Sequence, residues 1–211
     1  MKVICFDLDN TLVDSVNAHT KSYNQALKEL EFKTVIKKYV FSTLGRPKEQ
    51  VIKLLAPNAT KKECDNIMRL HDLYLRKIYY KLVKRYKSSI SILNFCRKKG
   101  YKLVLTSNCS KENIHFILKG ARINKKYFNL IIGNDDVEYS KPAPDEILKA
   151  GKILKSKPMF VIGDSIYDII AGKRAKVKTI GVTTGYYKEK QLNRYKPDYI
   201  IKNLNELKRI L

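Results

Sequence analysis

The chain has 211 residues, 44% hydrophobic and 30% charged, with 43 Lys and Arg against 20 Asp and Glu and a formal net charge of +23. That suits one globular core, or a core with an inserted module, and excludes a disordered chain. No apolar run approaches about 18 residues, so no membrane span is expected.

The opening Met1-Lys2-Val3-Ile4-Cys5-Phe6-Asp7 meets charge too early for a secretion signal, which makes a cytoplasmic protein the expectation. The cysteines Cys5, Cys64, Cys96 and Cys109 show no CxxC and no zinc-ligand spacing, and three histidines are poor raw material for zinc. Cys5 and Cys96 read as small core residues; Cys109 is left open because it follows a candidate site stretch. The basic charge raises nucleic acid as a partner. Against it, the lysines are scattered and no Arg-rich arm or aromatic RNA-binding signature is present. A field that gathers small anions is the preferred reading.

In chain order, Val3–Phe6 reads as a short buried strand that ends in Asp7 and Asp9, with Asn10 and Thr11 turning the chain. Apolar spacing then predicts helices over 16–31, Pro47–Ala56 and Lys61–Tyr86. The block from Ser15 to Ser88 is therefore expected to be all-helical, and it holds 17 Lys and Arg against 6 Asp and Glu. Beyond it, helices are expected at Ser89–Lys99 (with Ser89 as cap and Gly100 as stop), Lys111–Lys119, Pro144–Leu154, Tyr167–Ala175 and Leu204–Leu211. They alternate with strands at Leu103–Thr106, Leu130–Gly133, Met159–Ile162, Thr179–Val182 and Tyr199–Ile201. This alternation predicts an α/β fold with a parallel sheet covered on both faces. The expected division is a core of 1–14 and 89–211 with 15–88 inserted as a helical module.

Chemistry-bearing residues fall at the strand ends. Asp7 and Asp9 sit where open α/β sheets bind ligands, although a plain strand-to-helix turn capped by Asp9 or Asn10 explains the stretch in isolation. Thr106-Ser107-Asn108 offers a hydroxyl and backbone N–H groups as an anion cradle, or ordinary caps. Lys141 precedes a turn stiffened by Pro142 and Pro144, and alone reads as a surface lysine. Asp164 and Asp168 lie one helical turn apart after the Met159–Ile162 strand. Four carboxylates at one edge repel unless a cation or lysine neutralises them, and hard oxygen donors select Mg²⁺.

The set FDLDNTLVDS, LTSN, SKPAP and GDSIYD, in that order, resembles the haloacid dehalogenase superfamily of aspartate-nucleophile phosphatases, across the whole chain. The likeness is nearest to phosphoglycolate-phosphatase-like and β-phosphoglucomutase-like members with a helical cap. It implies a Rossmann-like core and a Mg²⁺-dependent phosphatase acting on a small anionic phosphate ester through an aspartyl phosphate. In that scheme Asp7 is the nucleophile and Asp9 the general acid and base. Thr106, with N–H groups near Leu8, Asp9 and Ser107, binds the phosphoryl group, and Asn108 belongs to the same cradle. Lys141 holds Asp7 and the phosphoryl group together. Asp7, the carbonyl of Asp9 and Asp164 hold Mg²⁺, with Asp168 outside them.

The resemblance further sets His19 near the hinge and Arg46 in a substrate-reading loop, each weighed against ordinary packing or exposure. Asp9 argues against the dehalogenase branch, which lacks this acid. Asn10-Thr11 favours a phosphatase over the alternative of a phosphosugar mutase, and a basic nucleic-acid-binding protein on a non-catalytic version of the fold is the remaining alternative. A monomer or homodimer is expected.

Overall fold

Val3, Ile4, Cys5 and Phe6 are fully buried, so the strand they form must be covered on both faces and sit inside a sheet. The computed structural model describes residues 2–211. Its elements are β1 (Lys2–Phe6), β2 (Val13–Asp14), α1 (Val16–Glu29), α2 (Lys37–Thr43), α3 (Lys48–Leu55), α4 (Lys61–Lys77) and β3 (Lys84–Arg85). They continue with α5 (Ser89–Lys98), β4 (Tyr101–Thr106), α6 (Lys111–Gly120), β5 (Leu130–Ile132), α7 (Asp145–Ile153) and β6 (Phe160–Gly163). The last are α8 (Ile166–Arg174), β7 (Lys178–Val182), α9 (Glu189–Asn193) and β8 (Tyr199–Ile201).

The main sheet has the order β5-β4-β1-β6-β7-β8 and every pairing in it is parallel. The chain moves outward from β1 on one side through β4, then returns to its other side through β6. This reversal opens a crevice at the C-terminal strand edge, where loops after β1, β4 and β6 meet. One apolar cluster, with Ile4, Phe6, Leu103 and Ile162, and a second, with Val3, Cys5, Val104 and Val161, pack the two faces. Alternate residues of β1 thus go to opposite sides. Helices α1 to α4 gather around a third cluster that includes Leu27, Ile52, Ile67 and Leu70.

Local chemistry sets the boundaries. Asn10 takes φ +61°, a left-handed conformation that Asn tolerates, and the N–H groups of Leu12 and Val13 return to the Leu8 carbonyl. Thr60 and Glu63 form a reciprocal capping box at the start of α4, and Ser165 and Asp168 form another on α8.

Several expectations change. The 15–88 block is helical except at its exit, where Lys84–Arg85 pairs antiparallel with β2. Helix α4 stops at Lys77 rather than Tyr86, because Tyr79–Leu82 tightens into a 3-10 turn whose Tyr80 carbonyl presses against Gly120 of α6. Helices α2 and α9 were not anticipated; each is short and carries little periodic signal. Ser89 does not cap α5: its hydroxyl donates to the Leu12 carbonyl at 2.6 Å, tying that helix to the loop after β1. The closing segment is a 3-10 helix over Leu204–Arg209. Among the described residues no helix is long and apolar enough to cross a membrane.

Candidate active site

The loops after β1, β4 and β6, with the Lys141 turn, bring together residues more than 150 positions apart. The Lys141 ammonium is buried and donates to Asp7 Oδ1 at 2.8 Å, Asp168 Oδ1 at 2.7 Å and the Thr106 carbonyl at 3.1 Å. The Lys141–Pro142 bond is cis. Oxygens of Asp7, Asp164 and Asp168 lie within 4.8 Å of one another. Asp164 accepts from the Thr11 hydroxyl at 3.3 Å. Asp168 accepts from Ser165 as well as Lys141, so both of its oxygens are bonded.

Two glycines allow this crowding. A Cβ on Gly163 would stand 2.2 Å from Asp168 Cγ, and one on Gly185 would stand 1.7 Å from Asp164 Oδ2.

One ammonium faces three buried carboxylates, which leaves two negative charges uncompensated if all ionise. Burial, followed by the Asp168 and Asp9 charges, pushes Asp7 up to about 8 despite Lys141. Burial, then Asp7 and Asp168, pushes Asp164 well above the usual carboxylate range. Burial opposes ionisation of Lys141, but Asp168, Asp7 and Glu146 outweigh it and hold the ammonium well above its ordinary value. Such a cluster fits a divalent cation: hard oxygen donors and a net deficit of two charges.

Other candidates are placed differently from expectation. The Asp9 side chain lies not with the three acids but with His19 Nε2, 3.3 Å from Oδ1, and Cys109 Sγ, 3.5 Å from Oδ2. Burial works to raise Asp9, but the His19 hydrogen bond and charge, with Ser15 and Cys109, hold it low. Thr106 Oγ1 is buried without a partner among the described residues, a free hydroxyl at the end of β4. The Ser107 N–H, expected to face a phosphoryl group, donates instead to the Ile132 carbonyl at 3.2 Å, because β5 continues alongside. Asn108 donates its amide to Gly45 O and Lys141 O, both at 2.9 Å, and so ties the α2–α3 loop to the lysine turn. Arg46 borders the same cavity, its guanidinium 5.7 Å from the Tyr167 ring and its Nε unpartnered. The cavity holds about 50 Å³.

Sequence reasoning missed the chain of groups behind His19. His19 Nδ1 is 3.0 Å from His71 Nε2, and His71 Nδ1 is 2.9 Å from Asp72 Oδ1. Asp72 also pairs with Lys48 and accepts from Asn113 Nδ2 at 2.7 Å. Burial lowers His71 to about 4; Asp72 ends well below its ordinary value because His71 and Lys48 outweigh its own burial. Tyr23 stacks on His71 with centroids 3.9 Å apart. His71 lies 52 residues from His19 and reads on α4 as one more position of a helix face; only the scarcity of histidine could have flagged it.

A family model for haloacid dehalogenase-like hydrolases matches residues 4–182. The chain belongs to this family. A phosphoglycolate phosphatase of Aquifex aeolicus is 32% identical over 213 residues, covering 100% of this chain and 97% of that protein. The pyrophosphatase PpaX of Anoxybacillus flavithermus is 27% identical, again over 100% and 97%. Among solved structures, a hydrolase from Pseudomonas syringae superposes with TM-score 0.85 at 24% identity, covering 100% of this chain and 98% of that one. A haloacid dehalogenase-like family hydrolase from Streptococcus pneumoniae gives 0.86 at 22%, with the same coverage. These likenesses agree with the Rossmann-like α/β fold, and the family's hydrolase character makes this chain an enzyme.

Proposed function

We propose that the protein is a Mg²⁺-dependent phosphatase that hydrolyses a small phosphomonoester through an aspartyl phosphate on Asp7. In this reading 1–14 and 89–211 form the catalytic core and 15–88 the cap. The observation that carries it is the convergence of Asp7, Asp164, Asp168 and Lys141 beside the unpartnered Thr106 hydroxyl. Phosphoryl transfer depends on positioning and charge neutralisation, and these groups supply both.

Asp7, Asp164 and the Asp9 carbonyl would hold Mg²⁺, with Asp168 supporting; bound there, the ion offsets the two uncompensated charges and lets an anionic ester approach. Asp7 attacks phosphorus. Asp9, held ionised in the free protein, takes up a proton as the anionic ester binds beside it, gives that proton to the leaving oxygen, then takes one from the water that cleaves the aspartyl phosphate. Thr106 Oγ1 donates to a phosphoryl oxygen. All three Lys141 protons already have acceptors, so its contact with the phosphoryl group replaces one of those bonds. His19 holds Asp9, Asn108 ties cap to core, and Arg46 reaches the substrate from the cap.

The cavity of about 50 Å³ favours a small ester, since pockets for drug-sized ligands run to roughly 300 Å³ or more. Relatives named phosphoglycolate phosphatase and pyrophosphatase support a small phosphate substrate, and four free thiols suit a cytoplasmic protein.

The test is phosphate release from p-nitrophenyl phosphate, phosphoglycolate, pyrophosphate and hexose phosphates with Mg²⁺, with EDTA, and in Asp7→Asn. Release that needs Mg²⁺ and disappears in Asp7→Asn is expected. Activity surviving that substitution removes the nucleophile, and isomerised hexose phosphate without free phosphate makes the protein a mutase.

A further inference from the structure

Beside the all-carboxylate cluster lies a second group of a different chemical kind. Asp9, His19 and Cys109 each offer one donor atom, and the three atoms lie within 4.8 Å of one another. His19 Nε2 is 3.3 Å from Asp9 Oδ1 and Cys109 Sγ is 3.5 Å from Asp9 Oδ2. Ligands bound at ~2.0–2.3 Å to a tetrahedral Zn²⁺ are themselves separated by roughly 3.3–3.8 Å. The His19 and Cys109 donors thus each stand near one edge length of a zinc site from an Asp9 oxygen, and within 4.8 Å of each other, with the cavity they border open to a fourth ligand.

The hydrogen bonds behind His19 point the same way. Ionised Asp72 takes the Nδ1 proton of His71, so His71 Nε2 is the acceptor for His19 Nδ1–H. His19 Nε2 is thereby left facing the Asp9 carboxylate, where a divalent cation can replace their hydrogen bond. A carboxylate acting through a ring N–H is the outer support that orients a metal-bound imidazole; here a second imidazole is interposed.

We propose that Asp9, His19 and Cys109 form an inhibitory site for a borderline-soft divalent cation, Zn²⁺ by preference. Mixed oxygen, nitrogen and sulfur donors select Zn²⁺ or Co²⁺, whereas the neighbouring carboxylates select Mg²⁺. Binding forms a metal–sulfur bond and displaces the Cys109 thiol proton to solvent; nothing is oxidised. It ties up the Asp9 carboxylate, which can no longer move a proton, while the Asp7–Asp164–Asp168 cluster stays free. The inhibitory consequence rests on the phosphatase reading; the binding does not. Spacing in sequence carried no sign of the site because its ligands come from the turn after β1, from α1 and from the loop after β4.

The test titrates Co²⁺, then Zn²⁺, into the Mg²⁺-loaded protein. Wild type and Cys64→Ser are expected to show thiolate-to-Co²⁺ charge-transfer absorption and the visible bands of a four-coordinate ion, both erased by Zn²⁺. Cys109→Ser keeps a hydroxyl donor for Asp9, and its Zn²⁺ inhibition is read as a fraction of its own Mg²⁺-dependent activity. It loses the charge-transfer band and needs at least about tenfold more Zn²⁺ for half-inhibition. His71→Phe retains the band but binds Co²⁺ about 10–100-fold more weakly.

A missing band in wild type, or a band that persists in Cys109→Ser, overturns the site. Equal Zn²⁺ inhibition of wild type and Cys109→Ser overturns the inhibitory role and moves the ion to the carboxylate cluster. A protein inactive on every ester refutes the phosphatase reading, and the Co²⁺ spectrum still decides the site.

Discussion

Asp7 carries two consequences that a single substitution separates. Its folded value is raised to about 8 from an ordinary 3.8, burial being the largest cause. A raised carboxyl contributes stability that is complete below about 3.8 and lost as pH rises through about 8. Asp7→Asn removes this loss, and in the proposed reading the nucleophile as well. In EDTA at pH 8 the variant should therefore unfold at higher urea than wild type, by at least about 1 kcal/mol, with the gap closing toward pH 4. Equal midpoints at both pH values would contradict the burial of an uncompensated charge.

Glu146 gives a second case, outside the groups proposed to react. It lies on α7, fully buried, and burial raises it from 4.5 to about 7 against the opposing Lys141 charge. Its contribution is complete below about 4.5 and lost as pH rises through about 7. Glu146→Gln should gain on wild type between pH 4 and pH 8, by up to on the order of 3 kcal/mol, in urea melts.

At the scale of elements, the strand ends matter more than the strands. The loop after β7 comes so close to Asp164 that only a glycine fits at 185: a Cβ would meet Oδ2 at 1.7 Å. Gly185→Ala should push the Asp164 carboxylate out of line, costing Mg²⁺-dependent phosphate release tenfold or more, about 1.4 kcal/mol or above. Circular dichroism should show the fold intact, since β7 and β8 lie below the loop. The expected strands were found where β-rich apolar runs ended in polar residues. Helix α4 was misjudged at its end because its apolar period continues past Lys77, while contact with α6 and pairing of Lys84–Arg85 with β2 redirect the chain. Those contacts join residues too distant for any local pattern to register.

For the whole molecule, a basic surface surrounds an acidic buried centre: net charge is +23, yet the cluster at the strand edge is short of positive charge. In the proposed reading this excess serves to draw small anions toward the crevice. It also sets an expectation for ions. A cation that binds the folded state stabilises it by an amount that depends on its concentration, about 2.7 kcal/mol at one hundred times its dissociation constant. Mg²⁺ should therefore raise the thermal midpoint of wild type, most strongly at pH 8 and above, where Asp7 loses its proton and the ion no longer competes with it. Asp164→Asn should show little or no such rise in differential scanning fluorimetry. Equal stabilisation of the two proteins would place the ion elsewhere.

The order of the four motifs, the parallel α/β layout and the polar residues at each strand end were determined by the sequence alone. Apolar runs and the acids that terminate them are local properties of the chain. The tertiary structure alone decided which way those side chains turn: Asp9 toward His19 and Cys109, the Ser107 N–H toward β5, the Asn108 amide across to Gly45, and His71 with Asp72 in line behind His19. Each of these depends on which atoms from remote segments are near enough to offer a hydrogen bond. That is fixed by packing of the helical block on the sheet, and no pattern along the chain encodes it.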